Sequence, residues 1–263
     1  MKVVIFAGGK GTRIAEESVY RPKPLIEIGG KPILWHIMDW YSSFGYNEFI
    51  ICCGYKGQMI KQYFLDYYTK NSDIKVDLET GGMRILSQNI EPWKVTLVNT
   101  GLGTLTSGRL MRVRRYIDGD TFMMTYGDGV GNIDIPSLLK QYYSNGKFAT
   151  ISLTKPEGRF GAVQISRDTG LVECFREKAR GDQSWVNIGF SVFSTEIFNY
   201  LGDGNSMLED KPYELLAKDG QMGAYFHKGF WSPMDTVKDK EYLEGLWNTG
   251  SAPWKRPPAS TKH

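Results

Sequence analysis

Cysteine and histidine are both scarce, with three of each in 263 residues. Two of the cysteines, Cys52 and Cys53, sit side by side inside the apolar run FIICCGY, and no C-x-x-C spacing offers zinc a pair of ligands. A disulfide framework and a zinc site are therefore excluded, and buried thiols in a reducing compartment are expected. The histidines, His36, His227 and His263, belong to no Ser-His-Asp arrangement, which removes acyl-transfer hydrolysis. Long apolar runs are missing too: no segment approaches the ~20 residues a membrane span needs. The N-terminal MKVVIFAGG holds too short an apolar stretch for a secretory signal, so a cytoplasmic protein without a membrane partner is expected. An excess of charge of one sign is also lacking. A net charge of +3 is too small to suggest nucleic acid, although the basic clusters RPKP and MRVRRY favour smaller anions. Repeats, low-complexity tracts and clear linkers are absent, which predicts one domain with two lobes rather than two independent domains.

What is present is a regular alternation, and a hydrophobic content of 41% is ample for a core. KVVIFA reads as a strand, KPILWHIMDWYSSFG as a helix, FIICCGY as a strand and KGQMIKQYFLDYY as a helix. KVTLVNTG, GRLMRVRRYI and TFMMTYGDG continue as strand, helix and strand. Continuous apolar strands separated by amphipathic helices predict an open, mainly parallel α/β sheet covered on both faces. After the helix IDIPSLLKQYYSNG the pattern becomes β-rich, with strands in FATISLTK, FGAVQIS, LVECFREK and WVNIGFSVFS. Short helices follow at EIFNYL and YELLAKDG, and a last one at VKDKEYLEGLWNTG. This half reads as a mixed extension of the same sheet that carries a second substrate. The boundaries expected are 1–254 for the domain, with lobes of about 1–133 and 134–254, and a frayed polar tail at 255–263.

Ligands of such sheets gather at the carboxyl ends of the strands, where AGGKGTR and YGDG both fall. AGGKGTR fits neither common phosphate motif. Ile14 stands where a dinucleotide fingerprint needs its third glycine, and neither Gly8 nor Gly9 is followed by the glycine-lysine pair of a Walker A loop. There remains a loop whose glycines admit an anion to the backbone N–H groups, with Lys10 and Arg13 supplying charge; a plain strand-to-helix turn with two solvated basic residues is the competing reading. In RPKP, prolines on both sides of Lys23 restrict its reach. Asp128, between two glycines in YGDGV, suits a hard cation that also carries phosphate oxygens, or simply a tight turn. Asp235 in FWSPMDT either shares that cation or caps the last helix. Glu177 and Lys178 in FREK and Asn187 in WVNIGF offer acceptors and donors to a substrate.

Taken together, GGKGTR followed by RPKPLIEIGGKPILWHIM resembles the signature of the sugar-nucleotide pyrophosphorylases, nucleotidyltransferases that join a sugar 1-phosphate to a nucleoside triphosphate. IICCGYKG, IEPWKVTLVNTG, TSGRL, TYGDGV, GRFGAV, FWSPMDT and the terminal YLEGLW with APW resemble the branch that uses CTP and glucose 1-phosphate and makes CDP-glucose; the match spans about residues 1–254. The resemblance implies a Rossmann-like mixed, mainly parallel sheet flanked by helices, with a smaller β-rich sugar-binding lobe. It places the nucleotide on Phe6, Ala7, Gly8, Gly9, Lys10, Gly11, Thr12 and Arg13, with Lys23, Thr106, Arg109 and Gly127 as further contacts. It assigns Mg²⁺ to Asp128 and Asp235, the sugar phosphate to Glu177, Lys178 and Asn187, and catalysis to Arg13, Lys23, Asp128 and Asp235. It also implies a homo-oligomer, often a hexamer. Ser107, Ala179 and Ile188 depart from the residues usual in the family.

Overall fold

The computed structural model describes residues 1–9, 11, 14–88, 90–155, 162–165, 172–176 and 185–256, with residues 15, 16, 162–165 and 172–176 described by their backbone alone. Its centre is a seven-stranded sheet. In chain order the strands are β1 (Val3–Ala7), β2 (Glu48–Cys53), β3 (Lys94–Asn99), β4 (Thr121–Tyr126), β5 (Ala149–Thr154), β6 (Val186–Ser194) and β7 (Met222–Phe226). They lie side by side as β7-β5-β6-β4-β1-β2-β3. Pairing is parallel between β4, β1, β2 and β3 and between β5 and β7, whereas β6 runs antiparallel to both of its neighbours. The mixed, mainly parallel sheet expected from the sequence is thus the sheet observed.

The continuous apolar strands follow from a sheet buried on both sides. Val3, Ile5 and Ala7 of β1 face one core with Phe49, Ile51 and Cys53 of β2, while Val4, Phe6, Ile50 and Cys52 face the other. The adjacent cysteines therefore point to opposite faces as buried free thiols, and burial pushes their pKa values up, that of Cys53 to about 11. On the first face pack helices α1 (Ile33–Ser42), α2 (Gly57–Lys70), α4 (Ile135–Asn145) and α6 (Val237–Asn248). Helix α3 (Thr106–Val113) and helix α5 (Lys211–Lys218) cover the second. EIFNYL forms a 3-10 helix, Thr195–Tyr200, rather than the α-helix expected, with Ser194 accepting from the Glu196 N–H at its start.

Several elements carry no clear signal in the sequence. An antiparallel hairpin, Ser72–Val76 with Met83–Gln88, follows α2 and lies outside the main sheet. The edge strand β7 has a polar entry at Gln221 and Phe226 is exposed, so its pattern is that of an edge. A third feature is a two-stranded ribbon in which Gly129–Gly131 pairs with Trp231–Pro233.

Candidate active site

The sheet changes direction of winding between β1 and β4: the chain runs outward through β2 and β3 on one side of β1, then returns to its other side. Open α/β sheets leave a crevice at such a point, beyond the carboxyl ends of the strands. There the Gly127 N–H continues the β1–β4 pairing by donating to the Phe6 carbonyl at 2.9 Å. A side chain at Gly127 would press on that same oxygen, which explains the glycine.

A cavity of about 610 Å³ opens above this crevice. Phe6, Ala7, Gly8, Gly9, Gly11, Lys23, Thr106, Arg109, Gly127, Asp128 and Asp235 all line it, so eleven residues named from the sequence meet in one place. Lys10, Thr12, Arg13, Glu177 and Lys178 lie outside the described residues. A smaller cavity of about 230 Å³ is lined by Thr125, Tyr126, Asp128, Gly129, Asn187, Ile188, Gly189, Glu209 and Trp231. Tyr126 and Asp128 belong to both, so Asp128 stands in the wall between them. Asn187 reaches this edge because β6 runs backwards, which sets its first residues beside the last of β4. Its side-chain oxygen accepts from the Gly189 N–H at 3.0 Å.

The ribbon Gly129–Gly131/Trp231–Pro233 brings the two aspartates together. Asp128 precedes one strand, Asp235 follows the other, and the Met234 N–H donates to the Asp128 carbonyl at 2.8 Å. Between their carboxylates lies the Lys23 ammonium, 2.9 Å from Asp128 Oδ2 and 2.7 Å from Asp235 Oδ1. The Lys23 side chain is only 10% exposed, held in a 3-10 turn, Lys23–Leu25, entered through Pro22 and continued by Pro24. Asp235 does not cap α6. Thr236 does, in a reciprocal box in which its hydroxyl accepts from the Asp239 N–H while the Asp239 carboxylate accepts from the N–H groups of Thr236 and Asp235. The cap reading of Asp235 is corrected by one residue, and its carboxylate turns to the site.

Two carboxylates converging on one cation are a donor set that a divalent ion would also find. Magnesium is commonly held by one or two carboxylates, with water and substrate phosphates completing its shell. Among the described residues no group of three or more His, Cys, Asp or Glu is gathered to hold a metal. The pair therefore fits an ion shared with substrate better than a closed structural site.

Arg109 and Thr106 line the cavity, but their polar atoms are engaged. The Arg109 guanidinium donates to Thr100 Oγ1 at 2.6 Å, the Gly101 carbonyl at 3.0 Å and the Gly8 carbonyl at 3.1 Å. Its partners among the described residues are all neutral, and burial pulls its pKa down. Arg109 thus ties the first glycine loop to residues 100–102. A Cβ at Gly8 would overlap this guanidinium, so a side chain there would have to displace Arg109 from its partners. Thr106 Oγ1 accepts from the Leu208 N–H at 2.7 Å, which fixes residues 207–209 against the start of α3. Leu102, Gly103, Thr104, Leu105 and Met207 also line the larger cavity, with Ile14 and Pro24. The run TGLGTLTSG after β3 carries a glycine-rich signal that marks the first four; Met207, Glu209 and Trp231 carry none.

Comparison with known proteins accords with this geometry. The family model described as Nucleotidyl transferase matches residues 2–246. A glucose-1-phosphate cytidylyltransferase of Salmonella typhi is 48% identical over 256 residues, covering 97% of this chain and 99% of its own. A probable glucose-1-phosphate cytidylyltransferase of Bacillus subtilis is 45% identical with the same coverage. Among solved structures, HddC from Yersinia pseudotuberculosis complexed with GMP-PN shares the fold, with a TM-score of 0.68 and 22% identity over 94% of this chain and 99% of that one. With the family model matched over residues 2–246 and a relative 48% identical along nearly the whole of both chains, the chain belongs to the nucleotidyl transferase family.

Proposed function

We propose that the protein transfers CMP from CTP to α-D-glucose 1-phosphate, giving CDP-glucose and pyrophosphate. The observation that carries the chemistry is Lys23 held between Asp128 and Asp235 in a cavity large enough for a nucleotide, with Asp128 also lining a second cavity of sugar size. The choice of CTP and glucose 1-phosphate rests on the relatives at 48% and 45% identity.

A sugar 1-phosphate has its second pKa near ~6 and is already largely dianionic at neutral pH, so its attack on the α-phosphorus needs no general base. What the chain must do is bring two anions together and hold them in line. Lys23 supplies a cation that its prolines keep in place, and its flexible stem lets the ammonium turn from the carboxylates to a phosphate. Arg13, Lys10 and Thr12 extend the phosphate grip, while Lys178, with Glu177 and Asn187, holds the sugar phosphate. Asp128 and Asp235 hold Mg²⁺, which when bound supplies charge neutralisation at the phosphate oxygens. Catalysis is then positioning plus electrostatic stabilisation, consistent with cavities that no histidine or cysteine lines among the described residues.

The seven-stranded sheet draws strands from both sides of residue 133, which supports reading 1–254 as one domain with two lobes. Exposed apolar residues on the hairpin and α2, Leu65, Val76, Leu78, Met83 and Leu86, support a homo-oligomer, with a hexamer the expected form. No helix among the described residues is long and apolar enough to cross a membrane, and the buried free thiols suit a cytoplasmic setting. The test is pyrophosphate release from a panel of CTP, UTP, dTTP, GTP and ATP against glucose, galactose and mannose 1-phosphates. CTP with glucose 1-phosphate is expected to give the highest kcat/KM; a preference for another triphosphate would refute the substrate assignment.

A further inference from the structure

The smaller cavity contains a carboxylate that neither the motifs nor the reaction scheme uses. Glu209 lines it together with Asp128, so two acidic side chains face one space of about 230 Å³, and no lysine or arginine lines it among the described residues. Glu209 is held there by the chain on both sides. Leu208 is fully buried in the second core, its N–H donates to Thr106 Oγ1 at 2.7 Å, and the Ser107 N–H donates to the Ser206 carbonyl at 3.2 Å. Met207 consequently lines the nucleotide cavity while Glu209 lines the smaller one, and residues 207–209 form part of the partition. Thr106 Oγ1 reaches Glu209 Oε2 at 3.4 Å. The side chain meets solvent at the cavity mouth, yet partial desolvation pushes the carboxyl pKa up. Such a group accepts hydrogen bonds from hydroxyls and repels an approaching anion.

We propose that Glu209 reads the sugar of the glycosyl phosphate, accepting hydrogen bonds from its ring hydroxyls and excluding sugars that carry a carboxylate. The proposal rests on the smaller cavity being the sugar site of the reaction above. It adds to that reaction a chemical reason for a neutral hexose: each hydroxyl can donate to a carboxylate, whereas a uronic acid would set a second negative charge beside Glu209, the Asp128 carboxylate being paired with Lys23.

The experiment uses the full chain and its Glu209→Gln and Glu209→Asp variants, assayed for pyrophosphate release at saturating CTP with glucose 1-phosphate and with glucuronic acid 1-phosphate. Losing a hydrogen bond to a charged group corresponds to about tenfold to a hundredfold. Glu209→Gln is expected to raise the KM for glucose 1-phosphate by about that factor and to narrow the preference for glucose over glucuronic acid about tenfold or more, with the KM for CTP within about twofold. Glu209→Asp keeps the charge on a shorter arm, so it should raise the KM for glucose 1-phosphate while preserving the preference. An unchanged sugar KM and preference in Glu209→Gln would overturn the proposal. So would a rise in the KM for CTP as large as that for the sugar, because Glu209 would then be a wall of the nucleotide cavity. Calorimetric titration with glucose 1-phosphate separates this from the reaction itself. Binding that weakens in Glu209→Gln while the wild type turns over no triphosphate refutes the proposed function and keeps the Glu209 assignment. Binding that is equal in the two proteins, or absent from both, refutes Glu209.

Discussion

Replacing Lys23 with methionine keeps an unbranched apolar stem and removes the ammonium with its charge and donors. The ammonium lies 2.9 Å from Asp128 and 2.7 Å from Asp235. At an effective dielectric of ~20 each amounts to about 6 kcal/mol of Coulomb attraction, most of it offset by the desolvation of the three groups. The substitution takes the ammonium away from the Asp235 carboxylate, 17% exposed, and from that of Asp128, 41% exposed, so that two like charges face each other. Breaking a fully buried pair costs about 3–5 kcal/mol, and the rehydration available to Asp128 lowers the expected loss here to about 2–3 kcal/mol. For a chain of this size that is a fall in Tm of about 4–6 °C. Turnover should suffer more, by about a hundredfold to a thousandfold, the range for removing one electrostatic donor from a reacting oxyanion. Differential scanning calorimetry and pyrophosphate release measure the two effects separately. Magnesium added without nucleotide should raise the Tm of Lys23→Met more than that of the wild type, because the ammonium no longer competes for the carboxylates. A Lys23→Met protein with wild-type Tm and turnover reduced less than tenfold would refute the reasoning.

Gly8 and Gly9 form an internal comparison: a Cβ at Gly8 would collide with the Arg109 guanidinium, whereas one at Gly9 meets nothing within 4 Å. Gly8→Ala should therefore lose about 1–3 kcal/mol in urea unfolding, with Gly9→Ala close to wild type, and equal losses would remove the steric argument. His36 is buried with its Nε2 at 2.8 Å from the Ile28 carbonyl, and burial lowers its pKa from 6.5 to about 4. The unfolded chain takes up that proton first, so stability falls as pH drops from 6.5 toward 4. Between pH 7 and 4.5 the wild type should lose about 2–3 kcal/mol more than His36→Gln in urea titrations, and parallel pH profiles would exclude His36 as the cause.

The strands and the glycine turns at their ends were legible because their signals are local. Val3–Ala7 followed by two glycines, and Thr121–Tyr126 followed by Gly-Asp-Gly, each combine a continuous apolar run with a residue that ends it. Those features need no knowledge of the rest of the chain. The hairpin Ser72–Val76/Met83–Gln88 was not legible, since its exposed and mixed faces present neither period cleanly. Asp235 was ambiguous for another reason: a capping aspartate and a site aspartate look alike at the start of a helix, and only the Thr236–Asp239 box distinguishes them.

The sequence by itself determined the α/β class, the glycine loop after β1, the constrained Lys23 and the delivery of Asp128 to a strand end, because each follows from neighbouring residues. The tertiary structure alone decided which of these meet. The strand order sets β1 beside β4, the reversed β6 brings Asn187 to the same edge, and the Gly129–Gly131/Trp231–Pro233 ribbon joins Asp128 to Asp235. It also tied the Arg109 guanidinium to the Gly8 carbonyl, and it brought Glu209 to the smaller cavity. The physical reason is that local periodicity fixes the direction of each side chain relative to its own strand or helix, whereas contact between distant residues depends on how the whole sheet is ordered and packed.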